Sequence, residues 1–452
     1  MFQLGRELKR FFGAETPFAA PRDGLAGRDA GILELLDLNM LRNEAQATDV
    51  AAGRVGAKDR PVLQLRQART WCDLAERTGE ADALRKAASA AEAALKVVDR
   101  RQRPELWADI RRQQAQCALV GAELYGDGGL AAAADHVLRE ATEAAPKSEG
   151  GALSCVLRTK IAAEAALLRG DGAAAIAAAR SLATPIAALD AGQRQRASRR
   201  APAFARLVRA ESLAACGMLA KDEQVLEDAL ADAARATLTL DPAYEPLSWS
   251  RAAILRGEIL TALGEISADA GFLSRAIEVL ASVFDHLPRD HSPLDWARAQ
   301  IRLGQALAAL GEATGHADSL DRARHAFERA LVVLRREPGL TLRAAAAQGR
   351  AAVIAAYAAQ TGDIMALDEA EAAFRCELAA AEPKTDPVGW AIIQMSLAQV
   401  YQSRLALTGR DRGERARAAM ALDAALEVFS EQGLRSLSAA ALDSLDRLRD
   451  TV

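Results

Sequence analysis

The sequence predicts an all-α, right-handed superhelical solenoid of stacked helix-turn-helix repeats, and three observations carry that expectation. The motif Pro-x-x-Trp-(Ala/Ser) occurs at Pro104/Trp107/Ala108, Pro246/Trp249/Ser250, Pro293/Trp296/Ala297 and Pro387/Trp390/Ala391, so four of the five tryptophans hold one place in a repeating unit. Alanine-rich stretches also align without gaps. Ala81-Asp82-Ala83-Leu84, then Ala87, Ala90, Glu92, Ala94 and Leu95, matches Ala317-Asp318-Ser319-Leu320, then Ala323, Ala326, Glu328, Ala330 and Leu331. Half the residues are apolar but only 4% are aromatic, which suits closely packed helices better than β-sheets.

In chain order, residues 1–13 set Met1, Leu4, Leu8, Phe11 and Phe12 at helical spacing, with Arg6, Lys9 and Arg10 elsewhere on the wheel. This reads as a short basic amphipathic helix. Phe2, Leu4, Leu8, Phe11 and Phe12 are a candidate anchor for an anionic membrane or a partner groove, and packing on the first repeat is the plainer alternative. Residues 14–30, with Pro17, Pro21, Gly24 and Gly27, read as a flexible linker. Residues 31–60 open with Ile32, Leu33, Leu35, Leu36, Leu38, Met40 and Leu41 and read as an N-terminal capping helix.

A first repeat block spans 61–190, a basic linker (Gly-Gln-Arg-Gln-Arg-Ala-Ser-Arg-Arg-Ala-Pro) lies in 191–202, and a second block spans 203–430. The leucines at 434, 437, 442, 445 and 448 make 431–452 a C-terminal capping helix that closes the exposed core. Within a unit, helix A runs about twenty residues to a glycine, and helix B carries alanine every third or fourth position. Counting Pro338 as a copy without tryptophan, the motif recurs every 45 to 49 residues from Pro246 to Pro387. Ser292 and Asp386 suit the N-cap and the following prolines the first helical position. Asp295, three after Ser292, completes a near-capping box. The tryptophan then falls one turn into helix A, across the end of the preceding helix B.

Leu303-Gly304, with Ala323, Phe327 and Ala330, falls where tetratricopeptide repeats carry their leucine-glycine pair and their alanine, aromatic and alanine. Gly257/Ala276/Leu280/Val283, Gly349/Ala370/Phe374 and Leu397/Ala398/Tyr401/Leu422/Ala425 are related copies. The chain resembles this family over most of residues 61–430, with a longer turn between helices, from Gly311 to Ser319. The unit length also overlaps armadillo and HEAT repeats. The resemblance implies roughly eight hairpins whose A helices line a concave groove for a protein partner.

Six positions before each helix-A glycine lie Arg251, Arg298 and Arg343, a ladder suited to bidentate capture of an acidic or C-terminal peptide segment. The competing reading is a solvated row of arginines paired with local acids. Ile392 ends the ladder in the fourth copy. One position past the glycine, Glu258, Gln305, Arg350 and Gln399 vary, as selectivity-tuning residues would. Ile254 and Ile301 occupy positions where chaperone-binding members of the family carry their carboxylate clamp, so that clamp is not evident.

Net charge of −4 and a pI near 5.9 give no reason to expect nucleic acid. The arginine clusters near 100–112 and 194–200 lack interleaved aromatics. Five scattered cysteines without a C-x-x-C pair suit a reducing compartment. No apolar run approaches the roughly 20 residues of a bilayer span, and the charges from Arg6 to Arg10 interrupt any signal-peptide core. Gly126-Asp127-Gly128-Gly129 lacks the lysine and hydroxyl residue of a phosphate loop, and the spacing of His286 and His291 is unspecific for a metal. No catalytic, cofactor-binding or metal-binding residues stand out. The expectation is a cytoplasmic, non-enzymatic adaptor, bacterial by its alanine and arginine usage, that needs no cofactor. The alternative is a peripheral membrane or cell-pole recruitment factor anchored by residues 1–13.

Overall fold

A computed structural model describes residues 32–450, apart from 57, 126–127, 194–198, 336–339, 382, 385–386 and 433. The candidate anchor Phe2, Leu4, Leu8, Phe11 and Phe12, the linker 14–30, and the expected cap Asp386 lie outside the described residues. Among the described residues every regular element is helical. After one helical turn at 32–35, α1 (Leu38–Arg54) leads into paired helices α2 (Arg60–Thr78) and α3 (Ala81–Leu95), α4 (Pro104–Tyr125) and α5 (Gly128–Ala144), and α6 (Glu149–Leu168) and α7 (Gly172–Ser181). An unpaired α8 (Ala183–Gln193) follows. Then come α9 (Arg200–Ala220) with α10 (Glu223–Thr239), α11 (Pro246–Ser267) with α12 (Ala270–His286), and α13 (Pro293–Thr314) with α14 (Ala317–Leu334). The last pairs are α15 (Leu340–Thr361) with α16 (Ile364–Ala380), and α17 (Pro387–Thr408) with α18 (Glu414–Glu431), closed by α19 (Arg435–Asp450). Consecutive helices pack on one another, and each A helix also touches its neighbouring A helix, so this is an all-α helical-repeat solenoid.

Small residues set the spacing between helices. A side chain at Gly304 would meet the Phe327 ring at 2.9 Å, and one at Gly349 would meet the same ring at 2.4 Å. Phe327 of α14 is therefore clasped between two successive A helices that only glycine lets approach. A second rule recurs nine residues apart: Gly217 faces Leu226, Gly264 faces Leu273 and Gly311 faces Leu320, each at under 3 Å from where a Cβ would stand. These leucines are fully buried or nearly so.

Two of the tryptophans pack where their position suggests. Trp296 stands edge-on to Phe284 near the end of the preceding α12, with ring centroids 5.7 Å apart, and Trp107 packs with Ala94 and Val98 after α3. Pro246 and Pro293 sit at the helix starts where their missing N–H costs nothing.

Several expectations need correction. There is no long turn from Gly311 to Ser319: α13 runs to Thr314, Gly315 takes φ 70° at the cap, and α14 begins at Ala317. The extra length over a 34-residue unit lies in 22-residue A helices. Residues 31–60 are not one helix, because Asp37 caps a fresh start at α1, accepting from Met40 N at 2.8 Å. The stretch 191–202 is not a linker throughout, since Arg200–Pro202 already form α9, which packs on α6, α7 and α8. Stacking thus continues across the expected block boundary. Gly172–Ala191 is, contrary to expectation, long and apolar enough to span a bilayer by composition. Alanine supplies that apolarity, and the segment breaks at Leu182 into two short helices resting on α6 and α9.

The solenoid also closes on itself. Helix α2 touches α13, and α4 touches α15, across the superhelix. One hydrophobic cluster joins Leu33, Leu36, Trp71 and Leu74 to Leu294, Ala297, Ile301 and Phe327. The inner faces of α2 and α13, and of α4 and α15, therefore meet.

Candidate functional site, a charged lane inside the solenoid

Helix α13 supplies the centre of the lane. Asp295 is fully buried and accepts from Arg251 Nε at 3.1 Å, Arg251 Nη2 at 2.9 Å and Arg298 Nη1 at 2.9 Å. The Ser292 hydroxyl donates to it at 2.7 Å. The near-capping box is thus corrected: Ser292 makes no side-chain cap to the helix backbone, and Asp295 holds arginines. Burial opposes ionisation of Asp295, but Arg251 and Arg298 outweigh it and hold the carboxyl at about 2.

Each arginine then reaches across the superhelix. Arg251 Nη1 meets Glu76 of α2 at 2.8 Å, and Arg298 pairs with Glu123 of α4. Both partners lie 175 residues away in sequence. Glu76 and Glu123 are one 47-residue repeat apart, as are Arg251 and Arg298, so two rungs of acid are in register with two rungs of base. The matched offset is present in the sequence and is the signal that finds the pairing. At the same offset from Arg343 stands Leu168, and the acid ladder stops.

The lane continues through neighbouring A helices. Lys160 Nζ lies 2.8 Å from Glu211 and 3.8 Å from Glu164, and Arg302 reaches Glu258 at 2.6 Å and the Gln305 amide oxygen at 3.0 Å. Burial pushes Glu76, Glu164 and Glu258 above the ordinary glutamate value, more than Arg251, Lys160 and Arg302 respectively pull them down. Arg298 holds Glu123 below it. Burial opposes the charge on Lys160, yet Glu211 and Glu164 raise its affinity for the proton. Asp73, whose charge also acts on Glu76, is taken up by Arg77 at 2.6 Å, so among the described residues the lane gathers six further carboxylates (Glu76, Glu123, Glu164, Glu211, Glu258, Asp295) against four cations (Lys160, Arg251, Arg298, Arg302). Glu123 is 60% exposed, and Glu164 and Glu211 are about half exposed, so water reaches the lane.

Of the other sequence-predicted residues, Arg343 lies half-buried on α15, Gln399 half-buried on α17, and Arg350 binds Glu377 through both terminal nitrogens at 3.0 and 2.9 Å. The structure therefore brings together Arg251, Arg298, Glu258 and Gln305. It places Arg350 in a separate local pair and seals Ile254 and Ile301 in the core. The expected ladder of three equivalent arginines open to a peptide is corrected to two rungs already holding internal carboxylates. Sequence reading gave Asp295 only a capping role and missed Glu76, Glu123 and Lys160.

His286 stacks edge-on against Trp249, while His291 Nε2 lies 2.6 Å from the Glu34 carbonyl, so the two histidines do not converge. Among the described residues no group of three or more His, Cys, Asp or Glu side chains is arranged to hold a metal. A shallow depression of about 580 Å³ between α1, α2 and α3, lined by Asp49, Arg60, Gln64 and Lys86, shares no residue with the lane.

No family model and no curated protein matches the chain. Solved structures with overlapping shape include a Rap protein complexed with competence and sporulation factor, at 12% identity and TM-score 0.46 over 86% of this chain and 98% of that one. A circular tandem repeat protein with enhanced subunit contact surfaces overlaps at 16% identity and TM-score 0.28, over 94% and 97% of the two chains.

Proposed function

We propose that this helical-repeat protein is a non-enzymatic scaffold that holds a protein partner's segment against the inner lane, and that the segment is cationic. The observation that carries the reading is the surplus of carboxylates there, with Glu76, Glu164 and Glu258 held above their ordinary proton affinity by burial. A lysine or arginine arriving among under-neutralised carboxylates gains charge-assisted hydrogen bonds. An aspartate or glutamate would have to displace Glu76 or Glu123 from arginines already paired. The acidic segment expected from the arginine ladder therefore gives way here to a basic one.

The test is fluorescence anisotropy with a labelled lysine-rich peptide and a glutamate-rich peptide of equal length. The lysine-rich peptide should bind, and lose affinity both in high salt and in the Glu164→Gln/Glu258→Gln variant. Preference for the glutamate-rich peptide would overturn the reading.

A further inference from the structure

The turn at residues 32–36 is held by side chains from four distant places, in the manner of a bound peptide. Leu33 and Leu36 are buried against Trp71, Leu74 and Leu294. Between them the Glu34 carboxylate, itself 3% exposed, accepts from the backbone N–H groups of Leu247 at 3.1 Å and Ser248 at 3.0 Å. The Ser248 hydroxyl and the Arg200 guanidinium also bind it. Three backbone carbonyls of the turn are read as well. Arg77, with no exposed side-chain surface, donates to Leu33 O and Leu36 O at 2.7 Å each, and the His291 ring binds Glu34 O.

The seat is built without the turn. Arg77 is fixed by Asp73 at 2.6 Å, Arg200 begins α9, and the α11 N-terminus has no side-chain cap of its own. Its first amides point at whatever carboxylate lies there, which is the usual anion preference of a helix N-terminus reinforced by a guanidinium. Emptying the seat would take two carbonyl acceptors from a buried guanidinium and the carboxylate acceptor from two α11 amides, so an equivalent ligand is favoured over a vacant seat.

We propose that this seat is a peptide-binding site, occupied in cis by Leu33-Glu34-Leu35-Leu36, that takes a Leu-Glu-x-Leu segment of a partner protein in exchange. Such a segment supplies two aliphatic side chains, one carboxylate and the backbone carbonyls in the observed order. The acidic recognition expected of the arginine ladder belongs to this seat, formed by Arg200, Arg77 and the start of α11. The exchange does not depend on what the inner lane binds.

The probe is a labelled synthetic peptide copying residues 31–41, offered to the full chain and to its Glu34→Ala variant. The variant should bind it at least about tenfold more tightly than the unaltered chain, and a peptide with alanine in place of its glutamate should not bind either. In the unaltered chain, saturating peptide should speed amide exchange of residues 32–37 while leaving α9 and α11 protected. Equal peptide affinity in a folded Glu34→Ala variant would overturn the proposal. So would unchanged exchange of residues 32–37 under saturating peptide, which needs no variant to fold. Neither result bears on the lysine-rich peptide of the preceding test.

Discussion

The inner lane and the C-terminal hairpins use arginine in opposite ways. In the lane, Arg251 and Arg298 join helices whose residues are 175 apart in sequence. In the C-terminal hairpins, Arg350 holds Glu377 only 27 residues on, and Arg404 of α17 holds Glu371 and Asp368 of the adjacent α16 at 2.6 and 2.8 Å. Arg350 ties the two helices of one hairpin and Arg404 ties that hairpin to the next, which packing already does. The long pairs close one superhelical turn against another, beside the apolar cluster that holds Leu33, Leu36 and Leu294. The same residue type at related repeat positions therefore serves stacking in one region and closure in the other.

The sharpest way to break this contrast is Asp295→Ala. It leaves two half-buried arginines without their shared carboxylate, each keeping its outer partner, and should cost about 2–3 kcal/mol in thermal or denaturant unfolding. A loss below about 1 kcal/mol would mean that closure does not hinge on this residue. For the same reason Arg251→Ala with Arg298→Ala should destabilise the fold as well as alter binding, whereas Arg350→Ala should act mildly.

Acid titration comes next. The contribution of Asp295 is fully present above the unfolded aspartate value of about 3.9 and is lost as pH falls toward its folded value of about 2, a change of roughly 2–3 kcal/mol. The raised glutamates run the other way. Their folded forms take up protons at higher pH than the unfolded chain, so stability rises as pH falls from neutral toward about 4.3. Melting temperature against pH should therefore peak in the mildly acidic range. Glu76→Gln with Glu258→Gln should flatten its neutral side, and an unaltered slope would remove these groups from the account.

Stacking can be probed separately. Gly349→Ala sets a methyl 2.4 Å from the Phe327 ring and should cost about 1–3 kcal/mol through overpacking, in high and low salt alike. The smallest effect belongs to Glu123→Ala. That carboxylate is 60% exposed, so its loss should change stability by no more than about 1 kcal/mol and should matter less in 1 M salt. A larger, salt-independent effect would show that this rung is as desolvated as Asp295.

The repeat itself is legible in the residues. Pro-x-x-Trp places helix starts, alanine spacing marks the B helices, and Leu303-Gly304 with Phe327 identifies where they cross. These signals work because hairpin stacking is a nearest-neighbour affair, written within about one repeat length. Helix ends are less legible. The chain from Gly311 to Ser319 looks like a turn by composition, yet α13 holds through Gly311 because the glycine admits Leu320. Only the tertiary structure decided which helices meet across the concave face, α2 with α13 and α4 with α15. Asp295 reads as a capping residue and Glu34 as one polar position in a leucine-rich run, because their partners on other helices lie far along the chain. Sequence alone determined which helices stack, through local packing. The curvature accumulated over four hairpins decided which charges meet, and small angles summed over many helices are not written at any one residue.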